Sequence, residues 1–297
     1  MGQIEKRILD FNKKFGNPYD KFDADHRISI SNIKESLAVE FDQEGVAKKT
    51  HDKHFNDEKS IYYQKSVDEI IAMWTAKADL SKERGNLVDD FVGLEYSVWN
   101  NLNENETQAV IEETEDNVMK RKYKGVHAVL KHMKGSGLNF ETRERPLYFV
   151  YHYRGADWLI NGRFDAIFSG KTPDNEDLYL VVDWKNSEKI EESNKWQKLL
   201  GPMKDKDDCD LNKFTVQIFM YLYILKNGYG FKERSNACIV QFPGNSDYFY
   251  KIFQPGFEYN ESKMKKIIEW SIDQRIKRIT EKKRQSEHHD EQDDLPF

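Results

Sequence analysis

The chain is poor in cysteine, has no long apolar run and carries no excess of positive charge. Each absence narrows what it can do. Cys209 and Cys238 are the only cysteines among 297 residues. An all-cysteine zinc or iron–sulfur site needs four thiolates, so both are excluded. Such scarcity of thiols suggests a reducing compartment. No apolar stretch approaches the roughly 20 residues that span a bilayer. Met1-Gly2-Gln3-Ile4-Glu5-Lys6 has neither the apolar core of a signal peptide nor the Ser or Thr of a myristoylation site. A soluble, cytoplasmic protein with no membrane partner is expected. The formal net charge of −6 argues against nucleic-acid binding over the whole surface but leaves room for a local basic groove. What is plentiful is charge of both signs, at 33%, and aromatic residues, at 13%. The length allows one large α/β domain or two small ones with a sizeable core.

Periodicity divides the chain into a helical first part and a strand-rich second part. His26–Ser31 alternates apolar and polar residues, and Ser31 is a plausible N-cap for a helix entered at Asn32. Residues 65–80 have helical spacing, and a further helix is expected from Ser81 through Leu94. Two more are expected at Thr107–Thr114 and Asn117–Lys134, the second ended by Gly135-Ser136-Gly137. Pro146–Tyr153, Trp158–Ser169 and Leu178–Asn186 read as a three-strand meander. A long polar connection, Ser187–Leu211, leads to an apolar helix at Asn212–Asn227. Strands at Ala237–Phe242 and Tyr248–Phe253 and a basic helix at Glu261–Lys283 follow. These patterns predict a mainly helical part at 1–135, a core at 136–284 and a disordered acidic tail at 285–297, with the first two integrated in one domain.

Three short segments carry a specific chemistry: Gly162-Arg163-Phe164-Asp165, Asp183-Trp184-Lys185 and Gln217 through Tyr221. Strand residues alternate faces, so Asp183 and Lys185 point to one side with Trp184 between them. Holding both inside a core is costly unless they are paired or bind a metal. Asp165, at the matching position of the preceding strand, adds a second carboxylate. Mg2+ or Mn2+ takes such oxygen ligands, and the Trp184 carbonyl is a further candidate. A metal there would lower the pKa of a bound water and polarise a phosphate, and Lys185 would orient or deprotonate that water. Gln217 and Tyr221 lie four residues apart and share a helix face that could be turned to the same place.

This ordered set resembles the PD-(D/E)XK nuclease superfamily, in the RecB-like branch with a Q-x-x-x-Y helix. Arg84-Gly85-Asn86-Leu87-Val88-Asp89 resembles that branch's helical motif, with Asp89 where relatives place a metal-binding histidine. An aspartate there can still coordinate Mg2+ or Mn2+. Ser29-Ile30-Ser31, then Trp74 and Gly85, is similar to the N-terminal layout of the mitochondrial genome maintenance exonuclease group and its phage-encoded relatives. Leu200–Met203 and Leu211–Lys213 also resemble the phage-type members. The likeness spans roughly residues 26–255. It implies an α/β, restriction-endonuclease-like core, a mixed central sheet flanked by helices, with an N-terminal helical arch built from residues 26–135. It implies a DNA exonuclease favouring single-stranded ends, in replication, recombination or repair, in a bacterial host cytoplasm if phage-encoded. A flap-type endonuclease is the alternative within the same chemistry. A non-catalytic module binding DNA ends is the alternative outside it. Relatives with an iron–sulfur cluster use four cysteines, so this chain is expected to be cluster-free.

Three peripheral features complete the reading. Lys120, Arg121, Lys122, Lys124, Lys131 and Lys134 make one basic helix, with Tyr123 available to stack on bases, set against the commoner reading of a solvated face. His51 and His54 have metal-compatible spacing but no third partner, so a polar surface is expected. Asp293-Asp294-Leu295-Pro296-Phe297 resembles the C-terminal tip of bacterial single-stranded DNA-binding protein, which implies a protein partner that takes such tips.

Overall fold

The computed structural model describes residues 2–101 and 104–293. The elements run α1 (Gln3–Phe15), β1 (Arg27–Ser29), α2 (Ile30–Ser36), α3 (Gln43–His54), α4 (Val67–Asn101), α5 (Glu104–Glu113) and α6 (Asn117–Gly135). There follow β2 (Asn139–Arg143), β3 (Pro146–Tyr153), β4 (Ala156–Arg163), β5 (Ala166–Lys171) and β6 (Asp177–Lys185). Then come α7 (Asp210–Asn227), β7 (Arg234–Gln241), β8 (Lys251–Phe253) and α8 (Glu261–Asp293). The chain is an α/β protein with a mixed sheet flanked by helices. That sheet has the order β2-β5-β6-β7-β8, with β6 and β7 parallel and the other neighbours antiparallel. A second sheet has the order β1-β4-β3.

Strand β6 organises the layers because its side chains alternate. Tyr179 and Val181 join one apolar cluster with α7, α2 and α8. Val182 and Trp184 join another with Phe91 and Val92 of α4 and with Val126, Val129 and Met133 of α6. The crossover from β6 to its parallel neighbour β7 is made through α7, as a parallel pair requires. Burying each large apolar side chain here contributes about 1.5–3 kcal/mol.

Several elements depart from the sequence expectation for local reasons. Helix α2 starts earlier, because Ser29 rather than Ser31 is its N-cap. The Ser29 hydroxyl accepts from Asn32 N at 3.0 Å, and Asn32 Oδ1 accepts from Ser29 N at 3.3 Å. The two helices expected on either side of Ser81 are one helix, α4, opened by a reciprocal pair between Ser66 and Glu69. Nothing in α4 is a proline, so the pattern continues through Ser81. Trp158–Ser169 is not one strand: Phe164 and Asp165 interrupt it, and β4 and β5 belong to different sheets. The expected meander is therefore two hairpins, β3–β4 and β5–β6. Val88, Phe91 and Val92 of α4 and Val126, Val129 and Met133 of α6 pack on the five-stranded sheet as a core layer. Helix α8 continues to Asp293, past residue 285 where a tail was expected, and Asp294, Leu295, Pro296 and Phe297 lie outside the described residues.

Candidate active site

Asp183 is the centre of the site. The alternation of β6 that sends Val181 towards α7 also sends Asp183 there, and its side chain is 0% exposed. Its Oδ2 lies 2.6 Å from Lys185 Nζ, and its Oδ1 accepts a hydrogen bond from Gln217 Nε2 at 3.2 Å. Apart from that ion pair, Oδ2 has no hydrogen-bond partner. Gln217 Nε2 also lies 3.2 Å from the Tyr221 hydroxyl, which donates to the Arg163 carbonyl at 2.8 Å. The four-residue spacing on α7 thus aims both side chains at the ends of β4 and β6. Gly162 makes this approach possible: a Cβ there would sit 2.6 Å from Ile30 Cδ1 and 3.0 Å from Tyr221 Cε1.

Asp165 occupies the break between β4 and β5. One step beyond the Ala166–Val182 pair, it falls opposite Asp183. Its Oδ2 accepts from the Trp184 backbone N–H at 2.7 Å. Burial and then the Asp183 charge hold its pKa well above the ordinary carboxylate range. Burial alone would lower the pKa of Lys185, but the charges of Asp183 and Asp165 outweigh it and raise the pKa. Two carboxylates crowded beside one ammonium leave an excess of negative charge that a divalent cation would relieve.

Asp89 stands at the rim, on α4. It is half-buried, and its pKa is raised by burial and then by the Glu144 charge. Its carbonyl accepts from Arg143 Nη2 at 2.9 Å, and the same guanidinium reaches Glu144 at 2.8 Å. The structure thus brings Asp165, Asp183, Lys185, Gln217 and Tyr221 into one network, with Asp89 close enough to be felt electrostatically by Asp165 and Lys185. Trp184 contributes its backbone, while its ring belongs to the opposite core face. Among the described residues, no group of three or more His, Cys, Asp or Glu is arranged as a metal site. The donor set is the carboxylate pair of Asp165 and Asp183.

Sequence reasoning missed Lys34, and the structure adds a backbone role for Glu144. Lys34 of α2 donates to Gln217 Oε1 at 3.3 Å, and its pKa is lowered by burial and then by the Lys185 charge. Glu144, in a left-handed conformation at φ 47°, donates its N–H to the Asp165 carbonyl at 3.1 Å. Neither lies in a motif, and only the fold brings them here.

The basic helix departs from expectation. Lys122 is 2% exposed, and its ammonium donates to the Phe242 carbonyl at 2.6 Å and pairs with Glu188 at 3.3 Å. Tyr123 stacks on Phe91 with centroids 4.3 Å apart. Lys122 is thus an internal support, and Tyr123 is partly buried against Phe91. Position 122 falls on the stripe of Met119, Val126, Val129 and Met133, which is the signal that shows it facing inward. Lys120 donates to the Glu112 carbonyl, and Arg121 to the carbonyls of Ser246 and Tyr248. Lys124 is exposed. His51 and His54 pair with Asp52 and Asp57 respectively.

The fold and site define an α/β protein with an acid–lysine–amide cluster where its two sheets meet. No protein-family model matches the chain, and no curated protein matches it. Among solved structures, SSO0001 is similar over 91% of this chain and 82% of its own, at 13% identity and a TM-score of 0.34. A protein from Eubacterium rectale, described as "Putative exonuclease", is similar over 89% of this chain and 84% of its own. Its identity is 14% and its TM-score 0.37. Likeness at these scores is too loose to carry an argument about activity. No helix among the described residues is long and apolar enough to cross a membrane.

Proposed function

We propose that this chain is a metal-dependent nuclease that hydrolyses phosphodiester bonds in DNA, acting as an exonuclease on single-stranded ends in replication, recombination or repair. The observation that carries the reading is Asp183: a fully buried carboxylate, 2.6 Å from a lysine and beside a second buried carboxylate, Asp165. A purely structural ion pair has no need of the second buried acid and could be replaced with apolar residues at little cost. Asp165 and Asp183 would hold Mg2+ or Mn2+, and Asp89 at the rim would add its charge to theirs. Such a cation, when bound, acidifies a water and polarises a phosphate.

The remaining work falls to the chain's own groups. Lys185, kept cationic by its acidic neighbours, offsets charge on the phosphate and orients the attacking water by donation. Gln217 fixes the Asp183 carboxylate by one bond and is itself held by Lys34. Tyr221, tied to the Arg163 carbonyl, locks α7 against the strand that leads to Asp165. The buried cluster disfavours a module that only binds DNA, because such a module has no use for the cost of Asp183.

The test is digestion of end-labelled single-stranded, duplex and flap DNA with and without Mg2+. Stepwise shortening from one end, only with metal, is expected. Cleavage at the flap junction would shift the reading to an endonuclease, and full activity in excess chelator would overturn the metal mechanism.

A further inference from the structure

Trp196 is 96% exposed, the most exposed of the large apolar side chains described. An indole in water contributes none of the burial that makes tryptophan useful in a core. Yet the chain that carries it is firmly held. Asn194 Oδ1 accepts from Trp196 N at 3.0 Å and from Gln197 N at 3.2 Å. Asn194 in turn donates its N–H to Asp207 at 3.1 Å and its side-chain amide to the Asp208 carbonyl at 2.9 Å. Lys198 and Asp207 close the loop by a backbone bridge and an ion pair. A rigid mount for a ring that packs on nothing is the arrangement of a preorganised contact.

Helix α7 links the mount to the candidate active site. Trp196 and Lys213 line one cleft of about 480 Å3. Lys213 is one turn before Gln217 on α7, so Lys213, Gln217 and Tyr221 run along one face. The charge of Lys213 reaches Lys34, which is bonded to Gln217. The acids of the cleft are engaged: Asp208 pairs with Lys213 at 3.2 Å, Asp210 accepts from Glu191 N at 3.2 Å, and Glu191 pairs with Lys189 at 2.8 Å. Lys195, beside the indole, has no ion pair among the described residues. A second ring, Phe41, is 65% exposed on a segment fastened to the same loop. The fastenings are Leu200 N to Leu37 O at 2.7 Å and Val39 N to Asp208 at 3.4 Å.

We propose that Trp196 is a base-stacking platform that grips an unpaired nucleobase of the strand entering the site, while Lys195 meets its phosphate. This deepens the nuclease reading and rests on it. An unpaired base offers a π-face of the right size whatever its identity, and a duplex buries that face. The ring would therefore select single-stranded substrate without sequence preference.

The test separates the two claims by measuring binding rather than cleavage. In an Asp183→Asn background, the affinity for a labelled oligothymidylate of about a dozen nucleotides is compared with that for an abasic strand of equal length. Trp196→Ala should weaken oligothymidylate binding about ten-fold or more, and Trp196→Phe far less. Affinity for the abasic strand should be the same with and without the indole, which a merely structural role of Trp196 would not produce. Oligothymidylate affinity unchanged in Trp196→Ala, or an equal loss on the abasic strand, overturns the stacking role and leaves the nuclease reading standing. If the parent protein binds neither strand, the nuclease reading fails and the platform with it.

Discussion

Replacing Lys185 tests the site through stability as well as rate. Lys185→Met keeps the length and apolar stem of the side chain and deletes its charge. Asp183 would then be left fully buried with only the Gln217 amide at 3.2 Å. Breaking a buried pair by removing one partner costs about 3–5 kcal/mol, because the other charge remains without compensation. The Lys185 side chain is 17% exposed, so some water already reaches the pair, and the lower end of that range, about 3 kcal/mol, is expected. The double variant Asp183→Asn with Lys185→Met removes both charges and should recover to within about 1 kcal/mol of the parent.

Urea unfolding followed by tryptophan fluorescence in metal-free buffer measures all three proteins. Nuclease activity should fall by about a hundred-fold or more in Lys185→Met, the usual cost of losing one preorganised group that stabilises transition-state charge. A Lys185→Met protein as stable as the parent would refute the argument that buried Asp183 depends on its neighbour for compensation. Wild-type turnover in the same variant would remove Lys185 from the chemistry.

Other outcomes follow from individual contacts. Gly162→Val should destabilise by about 1–3 kcal/mol, since the new side chain meets Ile30 and Tyr221, and should lower the melting temperature together with activity. Gln217→Ala should cost about 1–3 kcal/mol by leaving Asp183 Oδ1 without its donor, again read by urea unfolding. Lys122→Ala should lower stability by about 2 kcal/mol or more through its lost buried stem, yet leave the salt dependence of strand binding unchanged in titrations at several ionic strengths. For Glu188, burial opposes ionisation, but the N–H groups of Gly244 and Asn245 and the charge of Lys122 win and lower its pKa. A lowered acid contributes stability above its unfolded pKa that is lost as pH falls through the folded one. Glu188→Gln should therefore flatten the acid side of the stability profile, below about pH 4.5, in thermal melts taken across pH.

The candidate set was legible because most of its members sit in short segments whose geometry is local. Asp183 and Lys185 are two apart on a strand, and Gln217 and Tyr221 four apart on a helix, so periodicity alone sets their directions. The break at Phe164 and Asp165 was not legible, because an apolar run cannot show that its two halves join different sheets. Lys34 was invisible for another reason: it meets Gln217 across 183 residues of sequence, and nothing in α2 distinguishes it from a surface lysine. The basic helix was misread where composition outweighed pattern. Four cations in five positions suggested a solvent-facing surface, yet position 122 lies on the apolar stripe and its long stem is used as core.

The interruption between β4 and β5 is also what builds the site. In an unbroken strand, the Asp165 backbone would be committed to ladder bonds. Here the chain leaves one sheet at Arg163 and joins the other at Ala166, so the Asp165 carbonyl is taken by Glu144 N and its carboxylate by Trp184 N. Glu144 holds a left-handed backbone conformation to do this, a cost of order 1–2 kcal/mol for a residue with a Cβ. The return is a carboxylate fixed beside Asp183, in a place where a regular sheet would supply only backbone. The strain and the crowded acids therefore have one explanation: both are sustained by the packing of Phe164, Ile30 and α7 around the break. Relaxing either should make the protein more stable and the candidate site less organised.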